Sequence, residues 1–282
     1  MSIGAIIIAA AVIAITGIIV GIGLGLFGEK FKVEVDEREA AIREALPGNN
    51  CGGCGYPGCD GCAKAINEGN APVNACPVGQ KPCWDAIAAI MGVEAGDAEK
   101  MVAFVKCAGT CDKAPSRYDY FGFDDCNAMS PVPGAGDKAC EFGCLGHGSC
   151  VKACQFDAIH IVNGIAKVDE SKCTACGACT KACPRKLIEL VPAASKVRVQ
   201  CSNKDKGKAV MDVCQAGCIG CTLCTKQCQF DAIHMDGNIA KIDYTKCTAC
   251  GACAEKCPKK VIPSRGTLRF SGTPSSEPFL PS

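Results

Sequence analysis

Cys218-Ile-Gly-Cys221-Thr-Leu-Cys224-Thr-Lys-Gln-Cys228 is followed by Cys247-Thr-Ala-Cys250-Gly-Ala-Cys253-Ala-Glu-Lys-Cys257-Pro258. Each run spaces four thiols as C-x2-C-x2-C-x3-C. That is too close for the cysteines to bridge one another, and it suits cubane iron–sulfur clusters. In this pattern the fourth cysteine of a run ligates the cluster of the other run. One expected ligand set is therefore Cys218, Cys221, Cys224 and Cys257; the other is Cys247, Cys250, Cys253 and Cys228. The crossing ties both ends of the segment to both clusters, so ligation helps to fold it.

The same design stands 74 residues earlier. Cys154-Gln-Phe-Asp-Ala-Ile-His160 recurs as Cys228-Gln-Phe-Asp-Ala-Ile-His234, and Lys172-Cys-Thr-Ala-Cys-Gly-Ala-Cys179 recurs at Lys246–Cys253. Between the runs of each copy lies a hairpin pattern, Ile159–Val168 and Ile233–Ile242, turning at Asn163-Gly164 and Gly237-Asn238. His160 and His234 read as strand residues. In the first copy Cys154, Cys173, Cys176 and Cys179 form a complete set. The partner set holds Cys144, Cys150 and Cys183, with His147 where the second copy has Cys221. Three readings stand: three thiolates holding a [3Fe–4S] cluster, His147 as fourth ligand, or Cys140 as fourth ligand. Gln155 and Gln229 stand where proline usually follows the fourth cysteine, which costs turn rigidity but no ligand.

Upstream, Cys107, Cys111, Cys126 and Cys140 together would make a further four-iron site with long loops, since closure entropy rises slowly with loop length. Cys140 cannot serve both sites. Cys201 and Cys214 are read either as relics of the duplication or as substitutes for missing thiolates; Val197-Arg-Val-Gln-Cys201 partly echoes Phe104-Val-Lys-Cys107.

Nearer the start, Asp36–Leu46 reads as a short helix ended by Pro47-Gly48. Cys51-Gly-Gly-Cys54-Gly-Tyr-Pro-Gly-Cys59 comes next, with Cys76 completing four thiolates for which zinc is the rival to an iron–sulfur cluster. The glycines let the backbone wrap a bulky group. Cys62 and Cys83 are left as buried core thiols, and Ile87–Phe104 is expected to pack as one or two helices. Ile3–Phe27 carries no charge over 25 residues, long enough to cross a bilayer core of about 30 Å. No basic residue precedes it and it exceeds a signal-peptide core, so a retained single-pass anchor is expected. Glu29, Lys30 and Lys32 follow it, and the two lysines favour the cytoplasmic side for the residues C-terminal to the anchor. Gly17, Gly21 and Gly25 share one helical face.

Composition agrees. The 282 residues include 27 Cys but few aromatics, at 5%, so inorganic clusters rather than a large apolar core hold the chain together. A net charge of +1 does not suggest nucleic-acid binding. The expected class is α+β: small cluster-stabilised domains, arranged as an anchor (1–28), a four-Cys Fe–S domain (29–100), a Cys-containing connecting segment (101–143), a bacterial-type two-cluster ferredoxin unit (144–192), a linker (193–213), a second ferredoxin unit (214–262) and a disordered tail (263–282). About six [4Fe–4S] clusters are expected, the altered one alternatively [3Fe–4S].

The order of these parts, the segment Leu46–Cys76 and Gly143-Cys-Leu-Gly-His-Gly-Ser-Cys150 resemble the B subunits of Rnf complexes, in their multi-cluster clostridial-type form. In that resemblance Cys51, Cys54, Cys59 and Cys76 are cluster ligands. It implies electron transfer from soluble ferredoxin towards NAD⁺ in a membrane complex, with partner membrane and flavin subunits moving Na⁺ or H⁺. The chain itself offers no complete catalytic site. A stand-alone membrane-tethered polyferredoxin is the alternative. From Lys196 onward basic residues outnumber acidic ones, and Lys256, Lys259 and Lys260 mark one expected docking patch for an acidic ferredoxin.

Overall fold

The structure is a computed structural model describing residues 3–30, 36–97 and 99–263. It divides into two compact units, Met1–Ala41 and Ile42–Ser282. The expected tail lies outside the described residues beyond 263, as does Lys32. In the first unit α1 spans Ile3–Lys30. A Cβ built on Gly17, Gly21 or Gly25 would meet nothing within 4 Å. Side chains are described for only part of α1, and among the described residues no helix is long and apolar enough to cross a membrane.

Next comes α2 (Glu37–Ala45), which ends before Pro47-Gly48 as its sequence requires. Then α3 (Gly58–Asn67) and α4 (Gln80–Met91) close a small core of Ile42, Leu46, Ile66 and Ile87. Gly92, at φ +67°, takes the left-handed position that ends α4. The helix expected to reach Phe104 therefore stops early. Met101–Val105 is a strand, β1, buried from Val102 to Val105. A strand buried on both faces shows no alternation, so its apolar run passes for helix.

The first ferredoxin unit continues with α5 (Cys126–Met129), a 3-10 turn (Pro133–Ala135), α6 (Ser149–Lys152), β2 (Ile159–Val162), β3 (Ile165–Val168), α7 (Ala178–Ala182) and β4 (Ile188–Pro192). Strands β2 and β3 form the expected hairpin, Ile159 opposite Val168. Its turn puts Asn163 and Gly164 at φ +48° and +72°, the pair of left-handed residues that a tight hairpin favours. β1 pairs antiparallel with β4, Met101 opposite Pro192 and Val105 opposite Ile188.

The second ferredoxin unit repeats the plan with α8 (Lys208–Val213), α9 (Leu223–Gln227), β5 (Ile233–Asp236), β6 (Ile239–Ile242) and α10 (Ala252–Glu255). Its leading segment does the work of β1: the Gln200 N–H donates to the Val261 carbonyl at 2.9 Å, as the Lys106 N–H donates to Leu187. Val197, Val199 and Cys201 are buried with Ile233, Ile242 and Val261. Residues 101–105 and 197–201 are thus integral edges of the units they precede.

Candidate iron–sulfur sites

The cysteines ring cavities. One is lined by Cys218, Cys221, Cys224 and Cys257 with Pro258 and Ile262. Another is lined by Cys154, Cys173, Cys176 and Cys179. Both sets are those that the spacing predicts. Cys253 lies within electrostatic reach of Cys247 and Cys250, and Cys228 packs in the same core as Cys247 and Cys253. The duplication extends to sulfur: the Ala158 N–H points at Cys154 Sγ and the Ala232 N–H at Cys228 Sγ, both at 3.4 Å.

The altered site is completed by a residue that spacing did not offer. A cavity is lined by Cys126, Cys144, Cys150 and Cys183. Neither Cys140 nor His147 lines it. The loop before α5 carries Cys126 there. Its N–H donates to Ser149 Oγ (2.8 Å), Ser149 Oγ donates to Asp125 Oδ2 (2.9 Å), and Lys152 Nζ donates to the Asp124 carbonyl (2.6 Å). His147 turns away from the sulfurs to Asp124, Nδ1 to Oδ1 at 2.7 Å, with Tyr120 edge-on. It fastens the loop that delivers Cys126.

The set Cys107, Cys111, Cys126 and Cys140 is therefore not brought together. Cys126 is held at the altered site. Cys111 is exposed, its N–H donating to Asn163 at the hairpin turn (3.1 Å). Cys107 and Cys140 instead line a fourth cavity with Cys201 and Cys214. The signal was in the sequence: the 74-residue offset that relates the two units also carries Cys140 onto Cys214.

In the first Cys group, Cys54, Cys59 and Cys76 share one core with Cys62 and Cys83. Cys51 lies within electrostatic reach of Cys76. The glycine-rich loop approaches the first ferredoxin unit so closely that a Cβ on Gly53 would stand 2.6 Å from the Cys176 carbonyl oxygen. The Cys83 thiol donates to Cys76, holding Cys76 down at about 6 against the opposing effect of burial. Burial first, then contact with Cys54, pushes Cys62 up to about 12. Both extra cysteines pack in the core beside the four expected ligands without belonging to that set. Cys62→Ser is accordingly expected to leave iron content unchanged, as is Cys111→Ser; loss of a cluster's iron in either would reassign the ligands. Gly53→Ala is expected to loosen the contact with Cys176, at about 1–3 kcal/mol for overpacking. Faster amide hydrogen exchange in 51–62 and 173–183 would show it, and unchanged exchange in both would refute the contact.

These surroundings suit clusters. Burial pushes Cys150 and Cys179 up to about 12, and Cys201, Cys224 and Cys253 to about 11. Such thiols ionise only for a strong cation, which metal ligation supplies. Among the described residues no group of three or more His, Cys, Asp or Glu converges as a single metal ion requires. Ringed cavities with amides aimed at sulfur are the complement of a larger body, and such hydrogen bonds also tune cluster potentials.

Comparison with known proteins agrees. Residues 46–78 match the family described as "Putative Fe-S cluster", residues 166–189 a 4Fe-4S binding domain, and residues 217–261 a 4Fe-4S dicluster domain. The chain is 48% identical to the B subunit of the Na(+)-translocating ferredoxin:NAD(+) oxidoreductase complex of Acetobacterium woodii, over 92% of this chain and 78% of that one. It is 44% identical to the B subunit of the ion-translocating oxidoreductase complex of Methanosarcina acetivorans, over 90% and 97%. It is 39% identical to the B subunit of the proton-translocating ferredoxin:NAD(+) oxidoreductase complex of Clostridium ljungdahlii, over 89% of each.

Proposed function

Because the chain belongs to the family of B subunits of ion-translocating ferredoxin:NAD⁺ oxidoreductase complexes, we propose that it takes electrons from reduced ferredoxin and relays them to partner subunits that reduce NAD⁺ and move Na⁺ or H⁺. Of about six [4Fe–4S] clusters, five have a complete thiolate set: Cys51/54/59/76, Cys154/173/176/179, Cys126/144/150/183, Cys218/221/224/257 and Cys228/247/250/253. With Cys126 in place, no three-iron centre is needed. Bound clusters would supply one-electron carriage; the chain supplies thiolates, amide donors and exclusion of water.

The observation that carries this reading is the nearness of neighbouring sets. Gly53 abuts Cys176, Cys150 lies within electrostatic reach of Cys179, and Cys253 within reach of Cys224. The uncharged stretch Ile3–Phe27, helical as part of α1, supports a single-pass anchor in the cell membrane. Abundant free thiols support placing the Fe–S domains on the cytoplasmic side. Lys256 and Lys260 are exposed on the basic last unit and suit an acidic ferredoxin.

Purification in mild detergent tests the reading. The chain is expected to come from membranes with flavin-bearing partners and to bleach on adding reduced ferredoxin. A chain recovered alone, with no partner at any detergent concentration, would favour the stand-alone polyferredoxin.

A further inference from the structure

We propose that Cys107, Cys140, Cys201 and Cys214 hold a sixth [4Fe–4S] cluster at the junction of the two ferredoxin units, each unit giving the same pair of thiolates. The proposal rests on the relay reading and adds the link between its halves.

The pairing follows from the duplication. Cys140 and Cys214 each stand four residues before the first cluster cysteine of a unit, Cys144 and Cys218. Cys107 and Cys201 each follow the residue of the leading segment, Lys106 or Gln200, that bonds the far end of its unit. The hydrogen bonds repeat too. Cys107 Sγ accepts from the N–H of Gly109 (3.4 Å) and of Cys144 (3.3 Å). Cys201 Sγ accepts from the N–H of Asn203 (3.4 Å) and of Cys218 (3.3 Å). Two amides on each sulfur is the environment of a thiolate. Cys144 and Cys218 are themselves ligands of the adjoining sets, so the cavity stands one hydrogen bond from a cluster site in either unit.

The cavity is kept clear and is matched to an anion. A Cβ on Gly109 would stand 3.3 Å from Cys214 Sγ, tighter than an ordinary contact. Lys138, 4% exposed, lines the cavity and donates to the Gly164 carbonyl. Among the described residues it makes no ion pair, and a buried ammonium calls for a negative partner. A four-thiolate cluster is one. Six such sets use every cysteine of the chain except Cys62, Cys83 and Cys111.

The test is iron and acid-labile sulfide in the full chain, reconstituted without oxygen. Cys140→Ser/Cys214→Ser is expected to lose about one-sixth of the iron, about four atoms, with one centre missing from a reductive EPR titration. Unchanged iron would overturn the proposal, as would a wild-type zinc ion that the variant loses. Should the double variant fail to fold, Asn203→Asp serves: Asn203 Nδ2 lies 3.6 Å from Cys140 Sγ, and a carboxylate there is expected to lower the potential of one centre. A titration in which no centre moves would overturn it. Neither readout involves ferredoxin or partners, so failure here leaves the relay reading standing.

Discussion

Cys126→Ser is expected to abolish the [4Fe–4S] cluster of the altered ferredoxin site, either losing its iron or leaving a three-iron centre visible by EPR in the oxidised state. His147→Ala is expected to keep the cluster. The contrast follows from where the two side chains point. Cys126 lines the cavity with Cys144, Cys150 and Cys183, whereas His147 bonds Asp124 outside it. Losing the His147–Asp124 bond, which is largely exposed on the aspartate side, removes one of several fastenings of the loop; Ser149 and Lys152 still hold it. Iron analysis with EPR of both variants decides the matter. Iron lost on replacing His147 but retained on replacing Cys126 would invert the assignment.

The second large effect concerns Arg198, which joins the two ferredoxin units. Its side chain is 1% exposed and donates to Glu170 Oε1 (2.5 Å), to the Ser195 carbonyl (2.9 Å) and to the Pro192 carbonyl (3.2 Å). Its guanidinium carbon lies 5.4 Å from the centre of the Phe104 ring. Burial alone would raise the Glu170 carboxyl; bonds from Lys196 and Arg198 outweigh it and hold the group below the usual range. Arg198→Met leaves this carboxylate with Lys196 alone and removes the donor to two carbonyls. Breaking a fully buried pair costs about 3–5 kcal/mol; with Glu170 30% exposed, about 2–3 kcal/mol is expected. Visible absorbance should then bleach at lower guanidinium concentration. Lys196→Met, which removes an exposed partner of the same carboxylate, should cost under about 1 kcal/mol. Equal effects of the two variants would show that burial of Arg198 contributes nothing.

Where ligation chemistry fixes spacing, the sequence was readable. The runs at Cys218–Cys228 and Cys247–Cys257 leave one way to wrap two clusters, and the duplication transfers that reading to Cys154 and Cys173–Cys179. The hairpins were readable because Asn163-Gly164 has few other uses. β1 was not, since Met-Val-Ala-Phe-Val is buried without alternation and its partner β4 lies far along the chain. Cys126 was not either. Its place depends on Ser149 and Lys152 catching a loop that local spacing does not constrain. Cys201 and Cys214 fall between these cases. The offset marked Cys214 as the counterpart of Cys140, but only the packing of the two units shows that such cysteines meet across a junction rather than within one unit.

Total iron and acid-labile sulfide per chain, followed through a stepwise reductive EPR titration, test the relay most directly. About 24 iron atoms in about six cubanes are expected, at four per Cys₄ set, with no three-iron centre in the intact protein. A chain saturating at about eight iron atoms, or filling its cysteines mainly with zinc, would contradict a relay of six clusters.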